Sequence, residues 1–238
     1  NDWRPVRLRP KSALRALVVV SGPTDLDRFQ ARVLAPVAVE DEVERAQNGL
    51  SPLPSRVLAN HGEVTEGRLF DELRDGCDIL YLVCHGYLAG DEPYLILENE
   101  DGTAARIRGG TLVERIRDLI KVPRLVVLAS CQSAGGQDGV AFGALGPRLV
   151  QNGVASVIAM QGDITVESVD KFTSRLFKEL SKDGQIDRAT AAARNDIREE
   201  KDWWMPALFT CSRTGCLWQG RPPEVDTFDK WDAVVSDV

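Results

Sequence analysis

The chain has 238 residues, of which 43% are hydrophobic and 27% charged; that is material for one well-filled domain of ordinary globular composition, and it excludes a disordered or a membrane-spanning chain. A formal net charge of −7 and a pI near 5.0 disfavour a nucleic-acid partner, because phosphate binding needs a basic surface. The longest apolar run, Ala16 to Val20, is far too short for a bilayer, no signal-peptide pattern is present, and five cysteines without framework spacing fit a reducing compartment, so the cytoplasm is the expected location.

Along the chain, Arg4, Arg7, Arg9 and Lys11 cluster in an arm with Trp3 as its one aromatic, read as a solvated linker over residues 1–12. The start at Asn1 rather than Met reads as a piece of a longer polypeptide. Leu14 to Val20 is a first strand, ending in the turn Ser21-Gly22-Pro23. Val37 to Gln47 has helical spacing, and Asn48-Gly49 is placed as a C-cap would be. Ser51-Pro52-Leu53-Pro54 breaks the chain before a second strand, Arg56 to Ala59. Thr65 opens a helical stretch to Arg74, and Asp78 to Cys84 is a short apolar run. Tyr94 to Leu97 alternates and meets Asn99-Glu100-Asp101-Gly102, a hairpin signal.

Thr111 to Ile120 is amphipathic and is stopped by Pro123. Arg124 to Ser130 is a second short apolar run, followed by a helix from Phe142 to Gln151 and a buried strand from Val154 to Ala159. Helices over Val166 to Leu180 and Asp187 to Arg198, and a last strand from Ala207 to Cys211 turning at Thr214-Gly215, complete the pattern. Alternating strands and helices predict one α/β domain over residues 13–219 with a parallel core, followed by a tail, 220–238. No repeat period is visible.

The chemistry concentrates where two of these strands end. Asp78 to Cys84 runs into His85-Gly86, and Arg124 to Ser130 runs into Cys131. Both runs are apolar on both faces, as buried parallel strands are, and in open α/β sheets the chemistry sits beyond the carboxyl ends of the strands. The separation, 131 minus 85 or 46 residues, accommodates one crossover, which makes the strands neighbours about 4.8 Å apart. A thiol and an imidazole then come within reach, the layout of a nucleophile and its general base. The imidazole takes the thiol proton and returns it to a leaving amine. The N–H groups of Gly86 and Cys131 are placed to cradle an oxyanion.

Other readings lack parts. Of the two histidines, His61 lies in a turn and reads as a surface residue. Cys84 should point away from the His85 face, since strand side chains alternate; Cys77, Cys211 and Cys216 read as packing residues. There are no paired C-x-x-C motifs for zinc and no phosphate-binding glycine loop, so no cofactor is expected. Ala129-Ser130-Cys131-Gln132-Ser133 lacks the glycines of a hydrolase nucleophile elbow.

The segments Val83-Cys84-His85-Gly86, Pro123 to Ala134, Gly153 to Gln161, Ala191-Ala192-Ala193-Arg194 and Asp202-Trp203-Trp204-Met205-Pro206-Ala207-Leu208-Phe209 together resemble the CHAT domains, caspase-like cysteine peptidases of clan CD often associated with TPR repeats. The resemblance runs from about Leu14 to Trp218. It implies a caspase-like three-layer fold with a mostly parallel central sheet flanked by helices. It also implies a His85–Cys131 dyad, with Gly86 lending its N–H to the oxyanion hole. Substrate pockets would be lined by the end of the first strand, by Ala129, and by the loop after Met160. Where many relatives carry proline after Met-Gln-x, this chain has Asp163.

The expectation is a cysteine endopeptidase module of a larger bacterial-type cytoplasmic protein, cleaving a protein substrate. A preceding domain or a TPR-containing partner would hold its site closed, and neither nucleic acid nor membrane is contacted. By the resemblance, the loops that carry Asp25 and Asp163 approach the pocket for the residue before the cut, where two carboxylates match a substrate Arg or Lys, with a small or apolar residue as the alternative; the competing reading is a solvated Asp25 and an Asp163 that caps the helix starting at Thr165. The rivals are a catalytically silent caspase-like interaction module, against which the retention of both dyad members speaks, and a thiol amidase acting on a non-peptide substrate.

Overall fold

Short runs buried on both faces are stable only in a sheet covered on both sides, and the runs above assemble in that way. The computed structural model describes residues 8–28, 34–129, 138–162 and 164–219. Its strands are β1 (Ala16–Val20), β2 (Ser55–Leu58), β3 (Ile79–Val83), β4 (His85–Ala89), β5 (Glu92–Glu98), β6 (Ala104–Arg108), β7 (Leu125–Ala129), β8 (Ser156–Met160) and β9 (Pro206–Thr210). Its helices are α1 (Val39–Leu50), α2 (Glu66–Asp75), α3 (Gly109–Arg117), α4 (Asp138–Gln151), α5 (Val166–Asp183) and α6 (Ile186–Asp196).

Six strands form one sheet in the order β2-β1-β3-β7-β8-β9. All its pairings are parallel except β8–β9, where Met160 faces Pro206. The odd residues Ile79, Tyr81 and Val83 of β3 face a core shared with Ala46 and Leu50 of α1, Phe172 and Leu176 of α5, and Ala189 and Ala193 of α6. The even residues Leu80 and Leu82, with Cys84, face Leu69 and Leu73 of α2, Leu112 and Ile116 of α3, and Phe142 and Leu145 of α4. Three layers result, the architecture that the resemblance implied. Among the described residues, no helix is long and apolar enough to cross a membrane.

Two local features differ from the sequence reading. Asn48-Gly49 does not cap α1, which continues to Leu50 and stops at Ser51, ahead of Pro52. Gly49 lies inside the helix, buried against α5, where a Cβ would be in ordinary contact with Phe177 Cδ2 at 3.5 Å. The second difference lies beyond β3, where the chain leaves the main sheet at Cys84 and starts a smaller antiparallel sheet, β4-β5-β6. Its hairpin falls where the Asn99-Glu100-Asp101-Gly102 signal placed it, with Gly102 at φ 76 and its N–H donated to Asn99 O at 2.9 Å. The partner strand starting at His85 lacks clean alternation, so periodicity did not mark it.

Candidate active site

The neighbour relation predicted from the crossover length is present: β3 pairs with β7 in parallel, Val83 opposite Ala129, and Cys84 N–H donates to Ala129 O at 3.3 Å. His85 follows two residues beyond Val83. Cys131 comes the same two residues after Ala129 in sequence, and both Cys131 and Asp163 lie outside the described residues.

His85 is buried, and its Nε2 is 2.8 Å from Ala35 O, in the segment leading into α1. A carbonyl oxygen can only accept, so Nε2 carries the hydrogen; in the neutral form of the ring the basic lone pair is then on Nδ1. Val37 and Val39, just after Ala35, pack against the core cluster that holds Tyr81 and Val83; the Ala35 end of the imidazole therefore lies on the α1 and α5 side of the sheet. Cys84 is buried in the opposite cluster, as alternation required.

Gly86 pairs with Leu95 across β4 and β5. A Cβ at this position would lie 3.2 Å from Tyr94 O, 3.3 Å from Ala141 Cβ and 3.3 Å from Phe142 Cε1, so no larger residue fits between β5 and α4 without a shift. Ala129 ends β7, buried beside Val83 in the α1 and α5 core.

The loop after β1 is fastened to the hairpin of the smaller sheet. Asp25 accepts Ala104 N–H at 2.6 Å and pairs with exposed Arg28 at 2.9 Å. Thr24 N–H donates to Gly102 O at 3.1 Å. The buried carboxylate of Glu98 accepts Gly22 N–H at 2.9 Å and Gly62 N–H at 2.6 Å, joining the loops after β1 and β2. His61 is exposed in the turn after β2, its ring lying where a Cβ on Gly102 would be.

The four described cysteines are free thiols. Burial, with Asp78 adding to it, pushes the Cys77 thiol up to about 12, and burial also raises Cys211; neither is an activated thiol. Among the described residues, no group of three His, Cys, Asp or Glu is placed to hold a metal ion.

Sequence reasoning missed two parts of this edge of the sheet. Ala35 acts through its backbone carbonyl, which leaves no mark on the sequence. Trp203 and Trp204 stood in a quoted motif, but only the structure shows that they are exposed just ahead of β9.

None of the curated proteins compared with the chain matches it in sequence. Among solved structures, the Saccharomyces cerevisiae separase–securin complex is similar over 87% of this chain and 12% of that chain, at 17% identity and a TM-score of 0.47. The family model described as CHAT domain matches residues 3–214. With that match over most of its length, and with a six-stranded, mostly parallel sheet between two helical layers, the chain belongs to the CHAT domain family.

Proposed function

We propose that this chain is a cysteine endopeptidase module in which His85 is the base and Cys131 the nucleophile. The observation that carries this reading is the β3–β7 pairing, with His85 and Cys131 each two residues beyond the rung Val83–Ala129. The Ala35 carbonyl supports it by holding Nε2–H and leaving Nδ1 as the proton acceptor. In the reaction, Nδ1 takes the Cys131 thiol proton and the thiolate attacks the peptide carbonyl carbon. The N–H groups of Gly86 and Cys131 receive the oxyanion. The C–N bond then breaks as the imidazolium returns its proton to the departing amine, and water, deprotonated by Nδ1, hydrolyses the thioester and frees the thiol.

Pocket preference follows from charge. Ala129 would line the wall next to the nucleophile, and Asp25 and Asp163 would select Arg or Lys before the cut. The Asp25 carboxylate already meets Ala104 N–H and Arg28, so a substrate guanidinium there must displace Arg28. That exchange is inexpensive because Arg28 is 72% exposed. Regulation belongs to the same reading: the imidazole is shut off from solvent in this structure, so a preceding domain or a TPR-containing partner in the cytoplasm would have to open the site.

Mass-spectrometric mapping of a proteome-derived peptide pool tests the assignment. Cleavage by the wild type that disappears in both Cys131→Ala and His85→Ala, with their melting temperatures unchanged, is the expected result; native-rate cleavage by Cys131→Ala would discard it. The isolated 238-residue chain should be close to idle until its partner is added, and full turnover without one would remove the regulatory part.

A further inference from the structure

Trp203 and Trp204 are 45% and 54% exposed and are the largest exposed apolar side chains among the described residues. Exposed indoles in adjacent positions are uncommon unless they bind something. The backbone that carries them is anchored on both sides. Lys171 of α5 pairs with Glu200 at 2.9 Å. The buried Asp202 carboxylate accepts Thr165 N–H and Ser168 Oγ–H, each at 2.6 Å. Met205 O accepts Gln161 N–H at 2.9 Å, and the Met205 side chain covers Gly162, where a Cβ would lie 3.3 Å from its Cε. The backbone on both sides of the indoles is therefore tied to α5 and to the end of β8, and a rigid aromatic surface binds with little entropic cost.

The platform stands at the same end and on the same side of the sheet as the proposed dyad. Pro206 faces Met160, the last residue of β8, so residues 203 and 204 lie beyond the carboxyl edge. Met205 packs on the α1 and α5 core, the side on which His85 meets Ala35. The sheet order puts β9 two strands from β7 and three from β3, a span of roughly 10–14 Å at about 4.8 Å per strand. An extended peptide rises about 3.3 Å per residue, so the indoles are about three to four residues from a bond held at the dyad.

Resting on the endopeptidase reading, we propose that Trp203 and Trp204 form a specificity subsite for an aromatic or aliphatic side chain of the substrate, three or four residues from the scissile bond. The subsite selects apolar residues at a distance, while the aspartates act on the residue at the cut.

Two readouts on the full chain test this. In the proteome-derived peptide pool, opened with whatever partner activates the wild type, cleaved peptides should be enriched in Phe, Trp, Leu or Ile three or four residues from the cut. A matched peptide pair with Phe or Gly at that place should differ in kcat/KM on the order of tenfold. Trp203→Ala/Trp204→Ala should reduce that ratio to about twofold, and Trp203→Phe/Trp204→Phe should keep most of it. Separately, an array of random octapeptides probed with Cys131→Ala protein should show the same apolar selection, lost when the two alanine changes are added. Selection on the array without cleavage by the partner-activated wild type would defeat the endopeptidase reading and leave the indoles as a binding site for apolar peptides only. Absence of apolar selection in both readouts, or selection that survives the double alanine variant, overturns the subsite.

Discussion

A carbonyl oxygen has lone pairs and no proton, so the 2.8 Å contact between Ala35 O and His85 Nε2 sets which ring nitrogen can act as a base. The chain has two histidines, which makes the point directly measurable. In a nitrogen-15 correlation spectrum at pH 8, neutral His85 should show the Nε2–H tautomer, identified by the absence of its signals in His85→Ala; an Nδ1–H tautomer would contradict the assignment. Thiol chemistry gives a second expectation. With Cys77 pushed up to about 12 by burial and Cys84 buried, neither should react with iodoacetamide in the native protein near neutral pH. Cys131 should be labelled fastest once the site is opened, and faster labelling of Cys211 in an active preparation would count against its role. The β3–β7 pairing that underlies the proposed dyad was legible in the sequence because two short apolar runs are joined by a single crossover, and rung counting needs only strand ends. Ala35 was not legible, since any residue can supply a carbonyl.

At the scale of elements, Glu98 ties together the loops that follow two neighbouring strands. Its buried carboxylate receives N–H groups from Gly22, just after β1, and Gly62, after β2, and the chain beyond Gly22 leads to Ala35. Glu98→Ala leaves both donors without that acceptor, and at about 1–3 kcal/mol for each unpaired group the loss is roughly 3 kcal/mol. For a domain of this size that lowers the melting temperature by about 6–12 °C. Glu98→Gln should fall between, because its amide oxygen can accept one N–H while its NH2 group opposes the other. A change under about 1 °C in Glu98→Ala would show that water takes over the role. Helices and parallel strands were read from the sequence to within a few residues, because Thr65, Pro123 and the two-faced apolar runs act locally. Gly49 and β4 were misread. The helix ends instead at Ser51, ahead of Pro52, and β4 is decided by its pairing with β5, a distant partner that is not written next to the residues it decides.

For the molecule as a whole, the shifted ionisations set the pH range over which the fold is stable. Burial pushes the Asp202 carboxyl up, but the hydrogen bonds from Ser168 and Thr165 outweigh it and hold the group below its usual 3.8. Gly110 N–H does the same for Glu92, reinforced by Arg148 against a smaller burial effect, below the usual 4.5. A carboxyl depressed by folding stabilises the native state above its unfolded pKa, and this contribution is lost as pH falls through the folded value. The acid limb should therefore begin near pH 4.5 and deepen below 3.8. Cys77 works at the other end. Its thiol is raised from 9.0 to about 12, so folding favours the protonated form; the stabilisation is complete below pH 9.0 and declines as pH rises toward 12. Urea-unfolding midpoints measured from pH 3 to 10.5 test both limits. Asp202→Asn should lower stability at pH 7 and make the acid limb shallower, because the variant no longer has a carboxylate to protonate. Cys77→Ala should flatten the decline above pH 9.0 and leave the acid limb as it is. An alkaline limb unchanged by Cys77→Ala would mean that another group, titrating in the unfolded chain, governs that side.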